Sequence, residues 1–222
     1  MNIPKTIIFI GPQGSGKGTQ AKILVKKIGA EYIETGAMLR AITKLDTDFG
    51  KHVRDLIDKG NMVTDEDIEM ILRHRLKAIH KNTPIVFDGV PRRIGQAKFL
   101  LDALVEVGRT ETTTLYFDLS HEQSIDRLSK RRHCTVCGRS AIANGNAEQK
   151  CEKCGGELVI RKDDAPEFIK LRLQTYDRET LPVVDYLKTL GHFYRIDAGQ
   201  DIAHVAAEIE KILGIEGHNL AQ

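Results

Sequence analysis

The chain has 222 residues, 41% hydrophobic and 29% charged, with 33 lysines and arginines against 31 aspartates and glutamates. That length holds one substantial α/β core with a small insertion and excludes two large domains. The composition excludes a disordered chain, and a net charge of only +2 excludes a broad polyanion-binding face, so a positive site must come from local arginine placement. Five short apolar runs read as buried parallel strands: Lys5–Ile10, Glu31–Ile33, Pro84–Phe87, Thr114–Asp118 and His192–Ile196. Helical patterns separate them, which predicts an α/β fold with a parallel sheet covered on both faces. The apolar stretch Thr6–Ile10 is too short for a signal segment or a membrane span. A cytoplasmic protein with reduced thiols is therefore expected.

After the first strand comes Gly11-Pro-Gln-Gly-Ser-Gly-Lys-Gly-Thr19, and then a helical stripe of Ala21, Leu24, Val25 and Ile28 that Gly29 is placed to cap. A strand, a glycine-rich turn and a helix start make a phosphate cradle, because unpaired N–H groups and the helix dipole point at the bend. Gly11, Gly14, Gly16 and Gly18 let phosphate oxygens approach the backbone, and Lys17 adds a mobile charge. The spacing fits the general phosphate-loop pattern, except that Gly18 stands where a hydroxyl residue usually follows the lysine; Thr19 could supply that hydroxyl one position later. A glycine-rich turn with a surface lysine is the alternative.

Two stretches interrupt the strand–helix alternation. Residues 35–64 read as helical and polar, with Arg40 and a Gly60–Val63 turn; residues 130–164 carry all four cysteines. The core is thus expected over 1–34, 65–129 and 165–222, with a frayed tail after Gly214. Asp88 ends the third strand, where an acid serves either near a phosphate-bound magnesium or as a helix N-cap. Arg127 and Arg131 are four apart and would share one helix face, while Asp164 and Glu167 fit a capping pair for a helix bearing Arg172. With Arg40, Arg92 and Arg161, six arginines bracket the interruptions; singly, each also fits a solvated surface charge. Cys134-x2-Cys137 and Cys151-x2-Cys154, each followed by glycine, suit a structural tetrahedral zinc with its coordination shell full. Two disulfides or a redox pair are the alternatives. No aromatic residue lies between Cys134 and Ile160, so the segment lacks a base-stacking surface for nucleic acid.

Taken together, these residues resemble adenylate kinase, in its long form with a zinc-bearing lid, over essentially the whole chain. Gly11–Thr19 is similar to the family's phosphate loop, which also has Gly-Thr after the lysine. Thr35–Arg40 resembles its Thr-Gly-Asp-Met-Leu-Arg segment, Asp88–Arg92 its Asp-Gly-Phe-Pro-Arg, and Arg161–Asp164 with Arg172 its lid-exit motif. The resemblance implies a P-loop kinase core with a five-stranded parallel sheet, an AMP-binding insertion at 35–64 and a zinc lid at 130–164. It implies phosphoryl transfer from MgATP to AMP, giving two ADP. Gly14, Ser15, Gly16, Lys17, Gly18, Thr19, Arg127 and Arg131 would hold ATP, with the backbone near Gln200 at its adenine. Thr35, Arg40, Asn61, Met62, Val63, Gly89, Val90, Pro91, Arg92, Gln96, Arg161 and Arg172 would hold AMP. Lys17, Arg92, Arg127, Arg131, Arg161 and Arg172 would serve catalysis, Thr19 and Asp88 would stand near magnesium, and Cys134, Cys137, Cys151 and Cys154 would bind zinc. ATP, AMP and ADP are the implied partners of a monomer, with no nucleic acid or membrane.

Three places in the chain depart from the family's pattern. Ala37 replaces an aspartate that helps organise magnesium-bound water, so an altered magnesium response is expected, which Ala37→Asp would change. Val90 replaces phenylalanine. Ser140-Ala141 stand where tyrosine and histidine are usual, so the lid is not expected to meet the ATP base as the family's does. Another nucleoside monophosphate kinase, for UMP, CMP or GMP, and a nucleotide-dependent zinc-ribbon binding protein are the rival readings.

Overall fold

A computed structural model describes residues 3–58, 63–142, 150–160 and 164–217. Asn61, Met62 and Arg161, and the side chain of Arg40, lie outside what is described. Five strands, β1 (Thr6–Ile10), β2 (Glu31–Glu34), β3 (Ile85–Asp88), β4 (Thr113–Asp118) and a last strand at Phe193–Asp197, form one parallel sheet. Each observed strand overlaps its predicted run. Numbered in chain order the last is β8, and the sheet order is β2-β3-β1-β4-β8. The chain first builds to one side of β1 and then to the other. In such open sheets the crevice at the carboxyl ends of the strands is where ligands bind.

Alternation along β1 explains the two cores. Ile8 and Ile10 pack on one face with Ile85, Phe87 and helices α4 (Asp65–Ala78), α5 (Ile94–Glu106) and α8 (Leu181–Lys188). Ile7 and Phe9 pack on the other with Leu115, Phe117, Ile196 and helices α1 (Lys17–Ile28) and α9 (Ile202–Leu213). Successive strand residues point to opposite faces, so a strand apolar throughout must be covered on both. Gly29 caps α1 in the left-handed region, as its position predicted. The chain after Gly214 corrects the expectation of fraying at its start: Ile215 is fully buried in the second core.

Residues 35–58 form α2 (Thr35–Ile42) and α3 (Asp48–Asp58). Helix α6 (His121–Lys130) opens with a Ser120–Gln123 capping box. It leads into a small antiparallel sheet of β5 (Arg131–Cys134), β6 (Ser140–Ile142) and β7 (Leu158–Val159), ordered β6-β5-β7. The chain returns through α7 (Pro166–Thr175), which continues into a π-helical turn at Tyr176–Thr180 ahead of α8.

Candidate active site

The glycine-rich loop lies between β1 and α1, and its shape is enforced by close packing. A Cβ on Gly11 would come within 2.4 Å of the Phe117 carbonyl oxygen, and one on Gly14 within 3.1 Å of that of Ser124. The first contact seats the loop on β4, the second seats α6 against the loop. Gly16 caps the start of α1 with φ 85°. The Lys17 ammonium donates to the carbonyls of Gly11 (2.7 Å) and Pro12 (2.8 Å) and to Ser15 Oγ (3.2 Å). Protein packed around it pulls the Lys17 pKa down to about 8; Asp88 opposes this, while Arg92, Arg172 and Arg131 add to it. The residue keeps partial exposure. One carboxylate against three guanidiniums leaves a field around it that favours an anion.

Gly18 now has a physical reason. A Cβ there would stand 3.3 Å from Asp88 Oδ2 and 3.6 Å from the Tyr32 hydroxyl, which itself donates to Asp88 at 2.9 Å. Asp88 is a strand-end carboxylate aimed at the loop, and the N-cap alternative is excluded because α5 begins only at Ile94, behind Arg93. Asp88 pairs in register with Glu34 of β2 and Phe9 of β1.

Lys17, Thr19, Asp88, Arg127, Arg131 and Arg172 line one cavity of about 530 Å³. Arg139 and residues 140–142 of β6 line it from the cysteine-bearing sheet, so two parts of the chain meet across it. The arginines are anchored differently. Arg127 donates to the carbonyls of Ala198 (2.7 Å) and Gly199 (3.1 Å), which fixes it to the turn before Gln200. Arg131 holds Asp164 with two bonds, 2.7 and 2.5 Å, and Arg172 reaches the same carboxylate at 3.3 Å. Two sequence expectations are corrected here. Arg131 does not share a helix face with Arg127, because α6 stops at Lys130 and Arg131 starts β5. Asp164 does not cap α7, whose N-cap is Ala165; its carboxylate is drawn instead to the two guanidiniums, which bond it more strongly than a backbone amide can.

A second group of predicted residues gathers around Gly89, next to Asp88. Gly89 has φ 84°, and a Cβ there would meet Arg92 Nη2 at 3.2 Å, with Thr35 next at 4.0 Å. Val90 is buried in the first core, so its replacement of phenylalanine is a packing change, and Val90-Pro91 is a cis peptide. Val63 packs against the same core. Thr35 Oγ1 is buried without a hydrogen-bond partner among the described residues, an atom that calls for a polar ligand. Gln96 accepts from the Arg92 backbone N–H at 2.8 Å and donates to Asp65 at 2.8 Å. Gln200 does not reach the cavity by its side chain, which turns to Asp197 at 3.4 Å.

The four cysteines converge. Their sulfurs all lie within 4.8 Å of one another, with Cys134–Cys154 at 3.5 Å and Cys137–Cys151 at 3.6 Å, and all four are free thiols. Zinc–sulfur bonds of about 2.3 Å in a tetrahedron place sulfurs about 3.8 Å apart, so the donor set fits zinc and not two disulfides. Gly138 and Gly155, at φ 71° and 70°, close matching knuckles. The N–H groups of Cys137 and Val136 bring the Cys134 thiol down to about 6, toward the thiolate that a metal takes. Against a lowering bond from the Gly156 N–H, the Cys137 and Cys134 sulfurs push Cys154 up to about 12. Ionising all four thiols this close together would need a shared cation.

Sequence reasoning missed Tyr32, Asp65, Arg93, Glu179 and Arg139. Tyr32 was recoverable from strand register, since β2 and β3 end together at Glu34 and Asp88. Asp65, Arg93 and Glu179 come from three separate elements and carry no local signal.

The sequence model of the family described as adenylate kinase matches residues 9–192. Curated relatives named adenylate kinase align along nearly the whole chain. The protein of Archaeoglobus fulgidus is 37% identical over 210 residues, 93% of this chain and 97% of that protein. That of Caldicellulosiruptor bescii is 38% identical over 213 residues, 95% and 99% of the two chains. That of Thermotoga neapolitana is 35% identical over 212 residues, 94% and 96%.

Proposed function

The chain belongs to the adenylate kinase family and is a nucleoside monophosphate kinase that moves a phosphoryl group between ATP and AMP; we propose that the two clusters flanking Asp88 divide that work. The observation that carries this division is the placement of Lys17, Arg127, Arg131 and Arg172 around one cavity, whose lining residues do not include the neighbouring group of Thr35, Gly89, Arg92 and Gln96. ATP phosphates take the loop from Gly14 to Thr19, where the N–H groups at the start of α1 and the Lys17 ammonium meet them. Arg127 and Arg131 close on the same phosphates. AMP takes the other cluster, with Arg92 on its phosphate and Thr35 and Gln96 at its base; Arg40, Asn61, Met62, Val63, Val90, Pro91 and Arg161 complete that set by resemblance.

Phosphoryl transfer needs in-line positioning and positive charge around the migrating group, and little covalent chemistry from the protein. Arg172 and Arg131, tethered to one carboxylate, lie close enough to Lys17 to lower its pKa. Their charge therefore converges where negative charge spreads in the transition state. The cysteine-bearing sheet forms one wall of the cavity, and in this reading it acts as a lid that keeps water from the transferring phosphoryl group. Magnesium fits the hard oxygen donors beside the loop, the Asp88 carboxylate and Thr19 hydroxyl, and it would neutralise phosphate charge there. Zinc in the four-cysteine site would hold the lid's knuckles together and supply no chemistry to substrate. No helix among the described residues is long and apolar enough to cross a membrane, and the proposed enzyme acts as a cytoplasmic monomer.

Steady-state kinetics on Arg127→Ala and Arg92→Ala test the division. Arg127→Ala is expected to raise KM for ATP more than for AMP, and Arg92→Ala the reverse. Equal effects on both substrates from each variant would overturn it.

A further inference from the structure

Gln96 carries an amide whose two ends look alike in shape and opposite in hydrogen bonding. One neighbour is the Arg92 backbone N–H, which can only donate, and it meets Oε1 at 2.8 Å. The other is the Asp65 carboxylate, which can only accept, and it meets Nε2 at 2.8 Å. Turning the amide over would set N–H against N–H and oxygen against carboxylate. The two partners therefore lock one orientation.

Asp65 is itself held in place. It begins α4 directly after the Thr64 N-cap, and Arg93 Nη1 donates to the same Oδ1 at 3.3 Å. Arg93 Nε donates to Glu179 at 2.8 Å, and Glu179 sits in the π-helical turn after α7. Arg178 and Arg93 keep the Glu179 carboxyl below its usual range, so this anchor stays charged at neutral pH. The next residue, Thr180, donates from Oγ1 to the Arg92 carbonyl at 3.1 Å. Gln96 is thus gripped on one side by the Arg92 backbone and on the other by a charged relay from three helical elements.

We propose that Asp65 is a specificity-determining positioning residue, which fixes the Gln96 amide in the orientation that accepts AMP and rejects inosine and guanosine monophosphates. This rests on the reading that Gln96 faces the base of the acceptor nucleotide. An amide paired edge-on with adenine must accept from the exocyclic amino group and donate to the neighbouring ring nitrogen. Hypoxanthine and guanine present a carbonyl oxygen and a ring N–H in those places, the reverse pattern. A locked amide meets both reversals as unpaired or repelling groups. An amide free to turn can satisfy either base, so discrimination depends on the lock rather than on Gln96 alone.

The test compares kcat/KM for AMP, inosine monophosphate and GMP as acceptors at fixed MgATP in the zinc-loaded wild type and in Asp65→Asn. The Asn side chain keeps the shape and can present either an acceptor or a donor to Gln96, which removes the Asp65 half of the lock and leaves only the Arg92 backbone N–H to hold the amide. The expected result is a fall in the AMP-to-inosine-monophosphate ratio of about tenfold or more, with KM for MgATP and the melting midpoint near wild type. An unchanged ratio in folded Asp65→Asn overturns the assignment to Asp65 and leaves the kinase reading intact. A wild type that uses inosine monophosphate as well as AMP overturns base reading by Gln96, and the present inference with it. Should Asp65→Asn fail to fold, Asp65→Glu keeps the charge at the start of α4 but displaces the carboxylate, and the same ratio decides.

Discussion

Replacing Asp164 with asparagine probes the joint between the cysteine-bearing sheet and the core. The Asp164 side chain has no exposed area, while Arg131 retains 17% exposure and Arg172 28%. Asparagine keeps the volume and removes the charge that two guanidiniums share, and its amide can accept from only one of them well. Breaking a buried ion pair by deleting one partner costs about 3–5 kcal/mol when the orphaned charge stays buried. Here both orphans reach water, which lowers the loss to about 2–3 kcal/mol. For a chain of this size each kcal/mol moves the melting midpoint by about 2–4 °C, so a drop of about 4–12 °C follows. Activity should suffer separately, since Arg131 and Arg172 lose the anchor that aims them at the cavity. A misplacement of about 1 Å costs up to about a hundredfold, so kcat should fall about ten- to a hundredfold. Thermal unfolding by circular dichroism and a coupled ADP assay read the two effects. A midpoint within about 1 °C of wild type together with kcat within about twofold would refute the shared-anchor argument.

Lys17 makes the enzyme sensitive to pH. Its ordinary pKa of 10.5 drops to about 8 in the fold, so the free enzyme loses the ammonium above pH 8, and kcat/KM for ATP should fall there, whereas a Lys17→Arg profile stays flat to higher pH. The unfolded chain binds the extra proton between pH 8 and 10.5, so this group's penalty on stability is complete below 8 and disappears as pH rises toward 10.5. Lys17→Met should accordingly be inactive yet more stable than wild type at pH 7, by about 1–3 kcal/mol in urea unfolding; a less stable variant would contradict the desolvation argument. Metal analysis should find about one zinc per chain, and removing it with a strong chelator should lower both the melting midpoint and kcat. Gly11→Ala should destabilise more than Gly16→Ala in thermal melts. A Cβ at 11 strikes the Phe117 carbonyl, whereas one at 16 has open space and only an unfavourable φ.

The main sheet was readable because its strands are apolar on both faces, as Ile7 to Ile10 illustrate, and glycine punctuation marked the loop and the end of α1. The four cysteines were readable because both pairs of ligands are local. The small sheet β5-β6-β7 was not, since Arg131 to Cys134 is polar and its pairing partners, Ser140 to Ile142 and Leu158 to Val159, are set by the knuckles rather than by a hydrophobic pattern. That is why Arg131 read as the end of a helix. Asp164 read as a cap for a related reason: an acid just before a helix has the same local signature whether it faces a backbone amide or two distant guanidiniums. The relay through Asp65, Arg93 and Glu179 depends on contacts between residues 28 and 86 positions apart, which no local pattern encodes. Gly18 was the converse case. It stood out as a departure from the general loop pattern, and the structure traces it to the Asp88 carboxylate at its back.

The most direct test of the central claim is the initial rate of nucleoside diphosphate formation from MgATP with AMP, UMP, CMP and GMP in turn as acceptor. AMP is expected to be phosphorylated, giving two ADP, with kcat/KM above the other three by orders of magnitude. Comparable rates with a pyrimidine or guanine monophosphate, or bound ATP with no ADP formed from AMP, would contradict it.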